Sequence, residues 1–229
     1  MNWIKQNWIK VVLGTLILGT GVFYLHNDYD NESALLSQNL TDKKVDDIDV
    51  SRYLQVMPIQ PGTWWVYEGK RIFVEVNDTK AQETIAQKIT EISDIKKEGN
   101  NLRVFTKTSY KNDPDFNEVE DSFLISESGY AFDESNLAYF PLVKGQRLTA
   151  DYPERTDGYY DYYVTDVSVK NILGQQRKCY DISYYALPDE SLETFCEGVG
   201  YVRDSYEHHG TPNEWDYKLI RIEYPALKK

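Results

Sequence analysis

From residue 53 onward the chain is a succession of short β-prone runs, each closed by turn-forming residues, and this spacing restricts the fold more than any other feature. TWWVYE (63–68) follows Pro61-Gly62, and RIFVEV (71–76) follows Gly69. LRVFTKTS (102–109) alternates, with Arg103 and Lys107 framing Phe105. Further runs cover 119–125, 159–169, 179–185, 199–206 and 215–222. Between them lie Gly99-Asn100-Asn101, Asn112-Asp113-Pro114, Leu173-Gly174, Pro188-Asp189 and Gly210-Thr211-Pro212, residues that take tight-turn backbone angles cheaply. Regular strand-length runs with turns between them predict an antiparallel sheet, either a half-barrel or a sandwich. The composition agrees: 19 Tyr, 8 Phe and 5 Trp suit a pleated, half-buried surface and exclude a disordered chain.

Two local readings carry consequences. Gly69 between two apolar runs predicts a hairpin there. Residues 84–95 place Ile85, Ile89, Ile92 and Ile95 three or four apart, a helical period. The β-branched content and the Gly99-Asn100-Asn101 turn into a clean strand argue instead for a strand with a bulge. An internal echo is also present. Pro58, Gly62 and Trp65 are repeated in spacing by Pro141, Gly145 and Leu148, which reads either as convergent turns or as two related halves of one sheet.

The N-terminus has a different character. MNWIKQNWIK carries two lysines and no acid, residues 11–25 carry no charge, and Asp28, Asp30 and Glu32 follow. Basic before and acidic after an apolar run predicts a signal anchor: an N-terminal transmembrane helix with its start in the cytoplasm and the remainder outside, in a single pass. Cleavage after the small residues Gly19 and Gly21 would release a secreted chain instead. The predicted organisation is an anchor over 1–25, an acidic linker over 26–52, an extracytoplasmic β domain over 53–224 and a tail over 225–229. Beyond residue 25 there are 23 basic and 37 acidic residues, because only Lys5 and Lys10 of the 25 basic residues come earlier; the difference is −14. Such a charge repels nucleic acid, so no nucleic-acid partner is expected. The expected partners are the membrane, through residues 11–25, and an envelope protein, glycan or lipid.

Cys179 and Cys196 are the only thiols, and folding the intervening residues about Pro188-Asp189 sets them opposite each other, which predicts a disulfide. His208 and His209 are adjacent and flanked by Glu207 and Glu214, a candidate zinc or catalytic pair if the turn at Gly210 brings the rings together. Asp113, Asp115, Asn117 and Glu118 alternate as half of a calcium loop would, and so do Asp28, Asp30 and Glu32; neither has the glycine and late glutamate of an EF-hand. Calcium or zinc is therefore the only cofactor expectation beside none. Tyr160 and Tyr162, in a run with Tyr159 and Tyr163, are the candidate binding residues, since tyrosine offers ring area and a hydroxyl at low entropic cost. Serine-hydrolase, phosphate-loop and zinc-protease motifs are absent. The function expected is a non-enzymatic binding or structural role in the cell envelope; the alternative is a carboxylate- or metal-dependent hydrolase with His208 and His209 near its site.

MPIQPGTWWVYEG (57–69), YFPLVKGQRL (139–148) and CEGVGYVRDSY (196–206) together resemble exported bacterial β domains of unknown function with a "Pro-Leu-x-x-Gly-x-x-Trp-x-Tyr" start and a late "Gly-Val-Gly-x-Val" strand. The second copy has Leu148 where tryptophan is usual. The resemblance implies a curved antiparallel sheet in the cell envelope, like the half-barrels of lipoprotein carriers. Members are often lipid-anchored; no cysteine follows the apolar run here, so the anchor must be the apolar segment itself. The resemblance supplies no catalytic residue.

Overall fold

The computed structural model describes residues 50–74, 80–113, 116–131, 137–148, 157 and 159–225. The chain divides into two compact units, 1–47 and 48–229, and every described residue belongs to the second. The expected anchor over 1–25 and almost all of the linker over 26–52 lie outside the described residues. Among the described residues no helix is long and apolar enough to cross a membrane.

The described residues form one antiparallel sheet. Its strands are β1 (Trp64–Phe73), β2 (Gln82–Glu98), β3 (Asn101–Lys111), β4 (Val119–Ser126), β5 (Gly129–Ala131), β6 (Leu137–Tyr139), β7 (Tyr162–Ile172), β8 (Gln175–Ala186), β9 (Asp189–Cys196), β10 (Gly200–His208) and β11 (Glu214–Glu223). The order across the sheet is β6-β5-β4-β3-β2-β1-β11-β10-β9-β8-β7. Two meanders thus meet where β1 pairs with β11, the one junction between strands distant in sequence.

The expected hairpin at Gly69 does not form. β1 runs straight through it, with Gly69 opposite Ala86 on one side and Tyr217 on the other. The glycine is there for approach, not for turning: a Cβ at this position would stand 2.0 Å from the Asp216 carbonyl oxygen. The isoleucine period resolves as a bulged strand. The register of β2 on β3 shifts between Ile92 and Asp94, so Ile92 and Ile95 both face inward across the extra residue. Ile85, seven residues before Ile92, lies on the outer face and is 57% exposed.

The sheet is rolled. Tyr130 of β5 stacks on Phe195 of β9, ring centroids 4.1 Å apart, although six strands separate them in the sheet order. The inner face therefore carries the core: Val104, Ile125, Tyr180, Ile182 and Phe195, with Phe140 against Tyr180 and Phe195. One end of the half-barrel is plugged by residues 50–61. A 3-10 turn, Val50–Tyr53, leads in, and Tyr53, Val56, Met57 and Ile59 are buried. Tyr53 donates its hydroxyl to the Asn100 carbonyl (3.0 Å), and Gly198 N–H bonds the Val56 carbonyl (2.9 Å). These bonds satisfy groups that burial would otherwise leave costly. Each fully buried side chain of this plug contributes about 1.5–3 kcal/mol through the apolar area it removes from water.

The sequence echo has a backbone counterpart. Thr63 N–H bonds Gln60 O at 2.9 Å, and Gln146 N–H bonds Val143 O at 3.0 Å. Gly62 N–H then reaches Ile92 O (2.8 Å) as Gly145 N–H reaches Val164 O (2.7 Å). Both glycines have positive φ, 82° and 84°, which tight turns of this kind demand. β7 repeats the bulge of β2, its register on β8 shifting between Val164 and Asp166. The sheet is built from two halves with the same turn, the same pairing and the same bulge.

Cys179 and Cys196 are register partners on β8 and β9 and form a disulfide. Both are fully buried, and they share a small apolar cluster with Val199 and Val202 on the outer face of the sheet.

Candidate functional site: the trough of the half-barrel

Away from the plugged end, the inner face carries side chains that are only half-buried. Alternation along each strand decides which side chains reach it. From β1 come Tyr67, Arg71 and Phe73, from β2 Lys88 and Thr90, and from β3 Thr108 and Tyr110. β7 and β8 give Tyr162 and Tyr184; β9 gives Ser191 and Glu193. β10 gives Tyr201, Asp204, Tyr206 and His208, and β11 gives Trp215 and Tyr217. Most are half-buried, so the surface is a trough with aromatic walls and an ionisable floor.

Its polar groups are tightly paired. Lys88 Nζ sits 2.5 Å from Asp204 Oδ2, and Trp215 Nε1 donates to Asp204 Oδ1 at 3.0 Å. The Lys88 ammonium also lies over the Tyr67 ring, 5.7 Å from its centroid. Burial alone would lower the Lys88 pKa, but Asp204, Tyr110 and Tyr67 outweigh it and hold the ammonium above its ordinary range. At the mouth, Asp189 Oδ1 accepts from the Tyr206 hydroxyl and meets His208 Nδ1, both at 2.6 Å. Arg71, 1% exposed, bonds Asn213 Oδ1 (2.6 Å) and the carbonyls of Ile72 (2.5 Å) and Glu214 (3.1 Å). Asp113 meets Arg71 Nε at 3.4 Å and takes the Tyr217 hydroxyl at 2.6 Å. Phe73, Phe116 and Trp215 surround the Arg71 guanidinium, at 5.8, 5.7 and 5.6 Å.

Glu193 is different. It is the register partner of Asp204, so two carboxyls sit side by side with Lys88 as their nearby cation. Desolvation first, and the Asp204 charge second, push the Glu193 carboxyl up to about 7, against the opposing pull of Lys88 and the Tyr201 hydroxyl.

The structure disperses the residues singled out in the sequence. Tyr160 is not on a strand: φ of 64° ends the extended run there, and its N–H bonds Tyr185 O at 2.6 Å. Tyr162 does line the trough, packed against Tyr184 at 4.6 Å. His208 and His209 diverge. His208 points inward to Asp189, while exposed His209 stands between Glu190 (3.5 Å) and Glu207 (3.3 Å). Among the described residues no three His, Cys, Asp or Glu side chains gather in metal-binding geometry. In the proposed calcium loop Asp113 is engaged by Arg71 and Tyr217, Glu118 pairs with Lys107 at 2.7 Å, and Asp115 lies outside the described residues. Asp28, Asp30 and Glu32 lie outside them as well.

Lys88, Glu193, Asp204 and Arg71 escaped the sequence reading. The one usable signal was alternation, and it places Lys88 inward only once the bulge after Ile92 is known. A cleft of about 290 Å³ on the outer face, beside Lys70, Ile72, Leu192 and Arg203, is rimmed by the acids Glu190, Glu207, Glu214 and Asp216, and its two cations are engaged, Arg203 Nε 2.7 Å from Asp216 and Lys70 2.8 Å from Glu83. It is a polar surface groove, and the trough is the better candidate.

No family model matches the chain, and no curated protein does. Among solved structures it is similar to a protein described as exported, with a YmcC-like fold, from Bacteroides fragilis: 8% identity, 74% of this chain, 99% of that one, TM-score 0.43. A protein described as a lipoprotein, from Parabacteroides distasonis, gives 9% identity, 73% and 98% coverage and TM-score 0.42. A domain described as an outer membrane lipoprotein-sorting protein, from Vibrio parahaemolyticus, gives 7% identity, 73% and 87% coverage and TM-score 0.24. These are likenesses in outline, and none transfers a ligand or a partner to this chain.

Proposed function

We propose that the protein is a non-enzymatic binding domain of the cell envelope, tethered by residues 11–25, that holds a ligand in the trough of its half-barrel. The observation that carries the reading is the make-up of the trough: an inner face lined by half-buried tyrosines, Trp215 and ionisable side chains, plugged at one end by the chain's own residues. Concave aromatic walls around a set of placed polar groups suit ligand capture. The location rests on the charge order of the N-terminus and on the Cys179–Cys196 disulfide, which an oxidising compartment sustains.

The hydrolase alternative is not adopted. His208 is tied to Asp189, which also accepts the Tyr206 hydroxyl, and His209 faces the acids of the rim, so the two rings do not converge on one reacting atom.

Two measurements test the proposal. Protease added outside intact cells should degrade the β domain of membrane-bound chain; protection from it, or recovery of the intact chain in the cytosol, refutes the location. Native mass spectrometry of the full chain extracted in non-ionic detergent should show a retained small molecule. That mass should be lost from Ser191→Trp, which fills the trough; retention by the variant refutes the site.

A further inference from the structure

The binding reading leaves the ligand class open, and the carboxyls of the trough narrow it. Three of them are answered by the protein itself: Asp113 by Tyr217 and Arg71, Asp189 by Tyr206 and His208, Asp204 by Lys88 and Trp215. Glu193 has the Tyr201 hydroxyl for company, and the cation nearest to it, Lys88, is held by Asp204 at 2.5 Å. Two carboxyls on adjacent strands therefore share one ammonium. A half-buried carboxylate without its own counter-charge is an expensive group to keep unless something arrives to answer it.

The surroundings favour one kind of arrival. Tyr67 and Tyr201 stand close to Glu193, with Tyr110 and Tyr162 further along the walls, so the groups beside the carboxyl are phenols and no second cation. The chain beyond residue 25 carries a formal −14, which raises the local concentration of cations and lowers that of anions. Resting on the binding reading, we propose that the trough binds an organic cation, an ammonium carried on an apolar or aromatic body, with its charge seated against Glu193.

A proton accompanies the exchange. The groups bearing on Glu193 are Asp204 and Tyr201 from β10, Lys88 from β2, Tyr67 from β1 and Tyr130 from β5. Among these Lys88 is the sole cation and Asp204 claims it, so Glu193 is half protonated near neutrality. The ammonium enters with its own protons, the Glu193 carboxylic acid becomes a carboxylate beside it, and one proton leaves to solvent. Binding therefore tightens as pH rises through 7.

The test uses three probes of one shape: 2-phenylethylammonium, neutral 2-phenylethanol and anionic 3-phenylpropionate. Each is titrated calorimetrically into the full chain in non-ionic detergent at pH 6 and pH 8. The expected result is at least tenfold tighter binding of the cation than of the alcohol at pH 8, and a smaller preference at pH 6. Titrations at pH 7 in two buffers of different ionisation heat should show proton release. Glu193→Gln should erase the preference while leaving circular dichroism unchanged. If that variant does not fold, the buffer comparison on the wild type decides, and absence of proton release overturns the proposal. Equal or tighter binding of the alcohol or the anion overturns the cation while leaving the trough a binding site. Failure of all three probes overturns both readings.

Discussion

Lys88 of β2 and Asp204 of β10 meet at 2.5 Å across the inner face, with β1 and β11 lying between their strands. The contact exists because the sheet is rolled, and it clasps the two meanders on either side of their junction. Both side chains keep some water access, at 20% and 25% exposure, which tempers the cost of separating them. Lys88→Met should destabilise the domain by about 1–3 kcal/mol, because it strands Asp204 beside Glu193. Lys88→Met with Asp204→Leu should recover part of the loss. Urea denaturation of the two single variants and the double variant measures the coupling; strict additivity would show that the pair does not act together.

Glu193 makes stability depend on pH in an unusual direction. Its carboxyl is raised from an ordinary 4.5 to about 7 in the fold. Between those values the folded chain holds a proton that the unfolded chain has released, so stability falls as pH rises from about 4.5 to 7 and levels off above. At about 1.4 kcal/mol per decade, the contribution is on the order of 3 kcal/mol by pH 8. Glu193→Gln, which cannot ionise, should be more stable than the wild type at pH 8 and close to it at pH 4.5. Thermal melts across this range check the sign; a wild type that gains stability between pH 5 and 7 relative to the variant contradicts it.

Gly69→Ala should be severe for a single methyl. The added carbon would lie 2.0 Å from the Asp216 carbonyl oxygen and 2.7 Å from Tyr217 Cα, both backbone, so neither neighbour can swing aside. The cost should reach or exceed the upper end of the ~1–3 kcal/mol usual for overpacking. Hydrogen exchange should show the damage concentrated in β1 and β11.

Removing the disulfide with Cys179→Ala and Cys196→Ala should cost about 3 kcal/mol, the chain-entropy value for a loop of this length. Melting temperatures of the wild type with and without reductant should differ in the same sense. A cysteine pair reactive toward maleimide in freshly isolated, unreduced protein would show that the bond is not formed.

The alternating runs and their turns determined the class of fold, because period-two burial and glycine or asparagine turns are local properties of strands. The same local logic set Cys179 opposite Cys196. It failed at Gly69, where a glycine inside a strand and a glycine in a hairpin look alike until the strand beside it is known. It failed at Tyr160, whose reversed backbone angle ends a run that composition alone would have continued. Tyr162, singled out by its tyrosine-rich run, lies on the inner face; Lys88, Glu193 and Asp204 gave no such signal, because each is one ordinary charged residue in its own strand. What brings them together is the roll of the sheet, which joins β2 to β10 and β5 to β9 over more than sixty residues of sequence. Long-range closure of that kind depends on which hydrophobic faces meet, so only the tertiary structure decides it.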